Sequence, residues 1–288
     1  MRLSQRRAAE GCLMVTPLML GCFVFYLAPF ILVVMQSLSW GIGYTQRFGG
    51  WENYRQILQN EMFRLAAWNT ARFLLVALPA ILILSFAIAL MLRKFTNQHK
   101  FLKSALLLPY IMPVVGTVLM IDVLFAESGL INQGLSAVGL PIVDWLQGGE
   151  AFGVVVALYL WKNTGYSVIM LLAGLVTIDD DQYGVADLDG ASAWQKFIHI
   201  TLPQMWYSIF FAAVFSLINA FKCFRDIFLI GGIHPNRSIY MLQHFINNAF
   251  QNMNYSKLAV SSALMFTVVA ILFALCYRFV IRKEAYKE

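Results

Sequence analysis

Six long apolar runs separated by polar intervals organise the chain. They cover about residues 12–38, 66–92, 104–125, 151–176, 204–230 and 257–281. Each is long enough for the roughly 20-residue helix that crosses the hydrocarbon core of a bilayer. Lipid cannot satisfy backbone amides, so runs of this length predict helices. The expected fold is all-α, a single membrane domain of six transmembrane helices spanning residues 1–288. Pro17 and Pro29 in the first run predict kinks or a short entry segment before the span proper, and Pro79 lies inside the second run and Pro109 and Pro113 inside the third. Arg2, Arg6 and Arg7 precede the first run in the order of a signal peptide. A secretory apolar region is only about 7–15 residues long, so this longer run reads as an uncleaved span.

One polar interval is oversized. Residues 179–203 read DDDQYGVADLDGASAWQKFIHITLP between the fourth and fifth runs, where a simple connection needs only a few residues. Asp179 with Gln182, and Ser192 with Gln195, carry the spacing of helix N-terminal capping boxes. Gly190 can take the positive φ of a break between them, and Pro203 is expected to end the second piece. The prediction is helix, turn, helix. Tyr183, Val185, Ala186 and Leu188 would give the first helix a small apolar face for a partner.

Charge decides orientation. Of the 288 residues only 12% are charged and 60% are hydrophobic, against about 25% charged in a soluble domain. With both ends on one side, that side holds Arg2, Arg6, Arg7, Arg93, Lys94, Lys100, Lys103, Lys196, Arg278, Arg282, Lys283 and Lys287. The other holds Arg47, Arg55, Arg64, Arg237 and Lys257. The positive-inside rule then makes both termini cytoplasmic. The net charge of +6 belongs to topology, and a nucleic-acid partner is unnecessary. The interval 179–203 falls on the cytoplasmic side, where its Asp179, Asp180, Asp181, Asp187 and Asp189 face a single Lys196.

Several chemistries lack their residues. Cys12, Cys22, Cys223 and Cys276 are isolated in apolar stretches and read as small hydrophobes. The acidic cluster has neither the second motif of a magnesium–pyrophosphate enzyme nor an EF-hand ligand series. His99, His199, His234 and His244 are scattered over loops, unlike the convergent groups of an intramembrane enzyme. No clear internal repeat of the secondary-transporter kind is visible. No Gly-Lys pair occurs, so the chain has no P-loop.

The interval 179–203 resembles the cytoplasmic EAA loop of permease subunits of binding-protein-dependent ABC importers. That pattern is Glu-Ala-Ala, three residues, Gly, nine residues, Ile, one residue, Leu-Pro. Gly184, Val185, Ala186, Gly190, Ile200, Leu202 and Pro203 stand at the matching positions. The carbohydrate-uptake branch, of maltose and glycerol-3-phosphate type, is similar at Gly50-Trp51-Glu52-Asn53-Tyr54, Asn69-Thr70, Leu108 to Pro113, Gly129 to Asn132 and Gly231-Gly232. The resemblance implies a coupling helix between the fourth and fifth spans that docks into an ATPase subunit. It implies two such ATPases carrying ATP and Mg, a second homologous permease and an extracytoplasmic solute-binding protein, all in an inner membrane, with no cofactor in this chain. Asp181, Tyr183, Gly184, Val185, Ala186, Asp187, Leu188 and Gly190 would make the coupling contact. The family's Glu is Gly184 here, so Asp187 or the run Asp179 to Asp181 is expected to substitute.

Polar groups within spans are costly and face a bundle interior or a wet cavity. The fourth span offers Tyr159, Trp161, Lys162, Asn163 and Tyr166, and the fifth Asn219, Lys222, Arg225 and Asp226. Tyr159, Trp161, Lys162, Asn163, Tyr166, Asn219 and Lys222 form the expected sugar site, with Arg225 and Asp226 read together as a gate or interface pair. Aromatic faces with amides suit a neutral saccharide, whereas Lys162 and Lys222 would suit an acidic one.

Overall fold

The computed structural model describes residues 3–40, 47–93 and 100–284. Arg2, Lys94, His99 and Lys287 lie outside the described residues, as do the side chains of Arg6, Arg7, Lys100, Lys103, Cys276, Arg282 and Lys283. The chain is mainly helical. A first helix α1 (Leu3–Cys22) runs through a wide π turn (Phe23–Leu27) into α2 (Ala28–Ser37). A small antiparallel ribbon follows, β1 (Ser39–Trp40) with β2 (Arg47–Phe48), then α3 (Glu52–Gln59) and the long α4 (Glu61–Arg93). Next come α5 (Lys100–Ile111), α6 (Val114–Phe125), α7 (Leu130–Ala137) and α8 (Ala151–Val176). The polar interval forms α9 (Asp180–Leu188), α10 (Ala193–Lys196), a second π turn (Phe197–Thr201) and α11 (Leu202–Gln204). The chain closes with α12 (Trp206–Lys222), α13 (Phe224–Gly231), α14 (Leu242–Gln251) and α15 (Tyr255–Glu284).

Six helical stretches among the described residues are long and apolar enough to cross a membrane: Gly11–Ser37, Glu61–Arg93, Val114–Ala137, Ala151–Val176, Trp206–Gly231 and Tyr255–Leu275. Five lie where the sequence pattern predicts them. The third differs from the expected 104–125, because Pro113, in an extended conformation with ψ 145°, divides α5 from α6.

Both π turns among the described residues sit just before a proline. Proline has no N–H, and its ring crowds the carbonyl four residues back. In the wide turns the residue before each proline reaches five residues back instead: Ala28 N–H to the Phe23 carbonyl, and Leu202 N–H to Phe197. Pro203 therefore does not end the helical path, as expected from sequence. It occupies the first turn of α11, where its missing N–H is harmless.

The chain divides into two compact units. In the first (Met1–Arg64 with Phe245–Val269), Asn53 is buried and its amide donates to the carbonyls of Ser37 and Ser39 at 3.0 and 3.1 Å. Tyr54 and Ser37 hydroxyls meet at 2.7 Å. The segment Gly50 to Tyr54 thus closes the turn after α2, with Gly50 at φ +55°. In the second unit (Leu65–His244 with Ala270–Glu288), α8 is the most buried of the six apolar stretches. It packs against α5 and α12. Its upper half joins Phe73, Ala77, Ile81, Tyr159 and Ile227 in one core, and its lower half joins Ala89, Leu172, Leu175, Ile178 and Met205 in another. Gly165 lets α5 approach this closely: a Cβ there would collide with the Leu106 carbonyl.

The other signature-like residues are tied into the same unit. Asn69 donates to the carbonyls of Arg237 and Tyr240 at 2.7 and 2.9 Å, and Thr70 accepts from the Leu242 N–H at 2.9 Å. Buried Asn132 donates to the Ala126, Glu127 and Val143 carbonyls and accepts from Val143 N–H and Trp145 Nε1–H.

Candidate functional site

Two places in the second unit concentrate polar chemistry. The first lies within α8, α12 and α13. Tyr159 is fully buried, and its hydroxyl donates to the Ser216 carbonyl at 2.7 Å. Asn163 is buried too and donates to the Tyr159 carbonyl one turn back at 2.9 Å. Ser167 and Ser216 hydroxyls lie 3.3 Å apart, and Asn219 is buried nearby in sequence on α12. The contacts of Tyr159 and Ser167 with Ser216 hold α8 to α12.

Lys162 extends from α8 to Asp226 on α13, with Nζ 2.7 Å from the carboxylate. Their side chains are 14% and 7% exposed. The charge expected to greet a ligand is therefore neutralised inside the chain. Arg225 and Asp226 do not form the pair suggested by their adjacency. Successive helical residues point about 100° apart, so Asp226 turns inward to Lys162 while Arg225 is exposed.

The remaining expected residues keep free surface. Trp161 and Lys222 are exposed, and Tyr166 is half-buried. Tyr166 stacks on Tyr110 of α5 with ring centroids 4.9 Å apart and 14° between planes, and meets the edge of Phe215 at 5.9 Å. Lys222 and Arg225 form no ion pair among the described residues. The exposed part of this region thus combines aromatic faces with two cations. Tyr110 was absent from the expected set, although it sits inside the Leu108 to Pro113 motif, which supplies the signal for it.

The second place is the polar interval. Asp179 caps α9 by accepting the Asp181 N–H at 3.0 Å. The partner half of that capping box is not made, because Gln182 bonds Gln204 instead. Ser192 and Gln195 complete a full capping box on α10, and Gly190 has φ +74° between the two helices. The helix–turn–helix expectation holds up to this point.

The expected apolar face of α9 splits in two. Tyr183 turns toward the bundle, its hydroxyl 2.8 Å from that of buried Thr201 and its ring within the lower core. Val185 and Leu188 point the other way, 61% and 89% exposed. Ala186 is half-buried, and Gly184 is exposed with open space where a Cβ would stand. Asp187 is held by Lys196 at 2.6 Å and Asp180 by Arg93 at 2.6 Å. Among the carboxylates expected to replace the missing Glu, Asp181 alone is both exposed and outside an ion pair or cap among the described residues. No group of three His, Cys, Asp or Glu able to hold a metal occurs among the described residues.

His244, expected on a loop, stands instead in α14 and is buried. Its Nδ1 accepts the Met241 N–H at 3.1 Å, and its Nε2 is buried without a hydrogen-bond partner. Phe224 and Tyr240 pack on the ring at 4.8 and 5.6 Å. Burial pushes its pKa down from 6.5 to about 4.

A family profile described as "Binding-protein-dependent transport system inner membrane component" matches residues 74–283. The chain is 28% identical over 250 residues to the sulfoquinovosyl glycerol transport system permease protein of Agrobacterium fabrum, covering 86% of this chain and 80% of that one. It is 29% identical over 272 residues to the trehalose/maltose transport system permease protein of Thermococcus litoralis, covering 93% and 92%. The fold is similar to a chain in the crystal structure of a bacterial ABC transporter involved in the import of the acidic polysaccharide alginate. That likeness has a TM-score of 0.81 at 22% identity and covers 98% and 99% of the two chains.

Proposed function

Because the chain belongs to the family of inner membrane components of binding-protein-dependent transport systems, we propose that it forms half of the passage for a sugar or oligosaccharide. The system is an ATP-driven importer, and the whole chain acts as one permease domain. ATP and Mg reside on two separate ATPase subunits. A second, homologous permease supplies the other half, and an extracytoplasmic binding protein delivers the solute. The family match over residues 74–283 carries this reading. Support for a saccharide comes from the two relatives named above, both named for sugar-bearing solutes.

The Lys and Arg distribution supports cytoplasmic termini, which puts α9 on the ATPase side as the EAA-type coupling helix. Exposed Val185 and Leu188 give it an apolar knob, and Asp181 takes the place of the family's Glu. In the passage, Trp161, Tyr166 and Lys222 present the surface for sugar, joined by Arg225 and Tyr110. Tyr159, Asn163, Asn219 and the Lys162–Asp226 pair shape the wall behind them. Neutral and acidic saccharides differ in their use of Lys222 and Arg225.

Screening the cognate binding protein against labelled sugars, followed by uptake into vesicles holding the whole transporter, tests the reading. ATP-dependent uptake that fails without the ATPase subunits is expected, whereas uptake driven by an ion gradient alone would overturn it. Lys222→Met is then expected to lower uptake of an acidic oligosaccharide by about tenfold, and that of a neutral disaccharide by less than about threefold.

A further inference from the structure

Resting on the reading of α9 as the ATPase-docking element, we infer that Arg93 is the positioning residue that transmits displacement of α9 to the long helix α4. Arg93 stands in the last turn of α4 and touches two other elements. Its Nη2 donates to the Ile178 carbonyl just beyond α8 at 3.3 Å and to Asp180 Oδ1 on α9 at 2.6 Å. Its guanidinium carbon lies 4.5 Å from the centroid of the Tyr183 ring. Tyr183 in turn reaches Thr201 in the π turn that leads to α12. Thus α4, the chain just beyond α8 and α9 meet at Arg93, and Tyr183 carries the contact on to the approach to α12.

The electrostatics favour this junction. A cation suits the C-terminal ends of α4 and α8, and Asp180 suits the first turn of α9. The planar guanidinium can serve a carbonyl, a carboxylate and an aromatic face together, which an ammonium cannot match. A nine-residue helix such as α9 is too short to hold its own orientation, so its tilt follows what fastens it. Asp180 is 92% exposed on its side chain, so the ion pair is screened and adds little to overall stability. Loss of Arg93 should therefore leave the chain folded, with Tyr183 still packed against the lower core, while removing the ion pair that couples the first turn of α9 to the end of α4.

The test uses the complete transporter, with this chain, its partner permease, the ATPase subunits and the cognate binding protein, in a background whose native cysteines are serine. Reporter cysteines at Trp161, Phe211 or Phe215, all exposed, are labelled with a maleimide before and after trapping with ATP and vanadate, which requires no knowledge of the sugar. The parent protein is expected to change its labelling rate about threefold at one or more reporters as the helices repack. Arg93→Gln is expected to keep ATPase co-purification and vanadate trapping while this response falls to less than about 1.3-fold, and Arg93→Lys to keep about half of it. A full response in Arg93→Gln, or loss of the ATPase subunits from that variant, overturns the inference. So does a parent that responds at none of the three reporters. Leu188→Asp tests the underlying reading separately: it should abolish ATPase co-purification, and retention would remove α9 from the docking role whatever Arg93 does.

Discussion

The Lys162–Asp226 pair between α8 and α13 and the Lys196–Asp187 pair in the polar interval have nearly the same length, 2.7 and 2.6 Å. Their surroundings differ. The first has side chains 14% and 7% exposed, whereas Asp187 in the second is 61% exposed. In the buried pair each charge depends on the other, because neither can turn to water. In the second pair Asp187 can be hydrated alone although Lys196 is only 21% exposed, so the bond orients side chains and contributes little else. Burial, more than bond length, separates a charge that shapes the bundle from one that trims a surface helix.

That contrast can be broken in a graded way. Lys162→Met should cost about 3–5 kcal/mol by leaving Asp226 buried and unpaired. Thermal unfolding of the purified chain in detergent would read this, and Lys162→Met with Asp226→Leu should recover most of it. A mild single-variant effect would erase the distinction between the two pairs. Asn132→Leu follows as the uncharged case, at about 1–3 kcal/mol, since it orphans the Val143 N–H and the Trp145 indole.

A buried group lacking a counter-charge should show itself through pH. His244 binds its proton less readily when folded, at about 4 against 6.5. The unfolded chain therefore takes up protons first as pH falls, and stability present above about pH 6.5 is lost progressively toward pH 4. His244→Gln should flatten that part of the profile of unfolding midpoint against pH. Lys196→Ala should have the smallest effect, below about 1 kcal/mol, and added salt should shrink it further in the same assay.

The local devices were legible because they depend on neighbours a few residues away. Ser192 with Gln195 and the positive φ at Gly190 follow from short-range chemistry, as do the apolar runs. Partners across the bundle were not legible. A span that is apolar nearly all round gives no phase to say which side of α8 carries Lys162 or Tyr159, and Asp226 lies 64 residues further along. Gln182 had the spacing for a cap but met Gln204, a competitor from another segment. Asn53, Asn69 and Asn132 resembled family signatures by position, yet the reason for an asparagine at each became visible only as bridged backbone carbonyls.

The two π turns have a consequence for how the helices on either side of them are addressed. Each accommodates one residue more than the same arc of α-helix, so the screw phase slips by roughly 100° across it. The face displayed before Phe197 is therefore not continued after Thr201, and a repeat pattern drawn through both would misassign the faces beyond the turn. Such a slip lets α10 follow the surface while α12 follows the bundle, although the two lie on one nearly unbroken helical path. Deleting one residue within Phe197–Thr201 would close the wide turn to an ordinary α-helical one and rotate α12 by roughly 100° relative to α10.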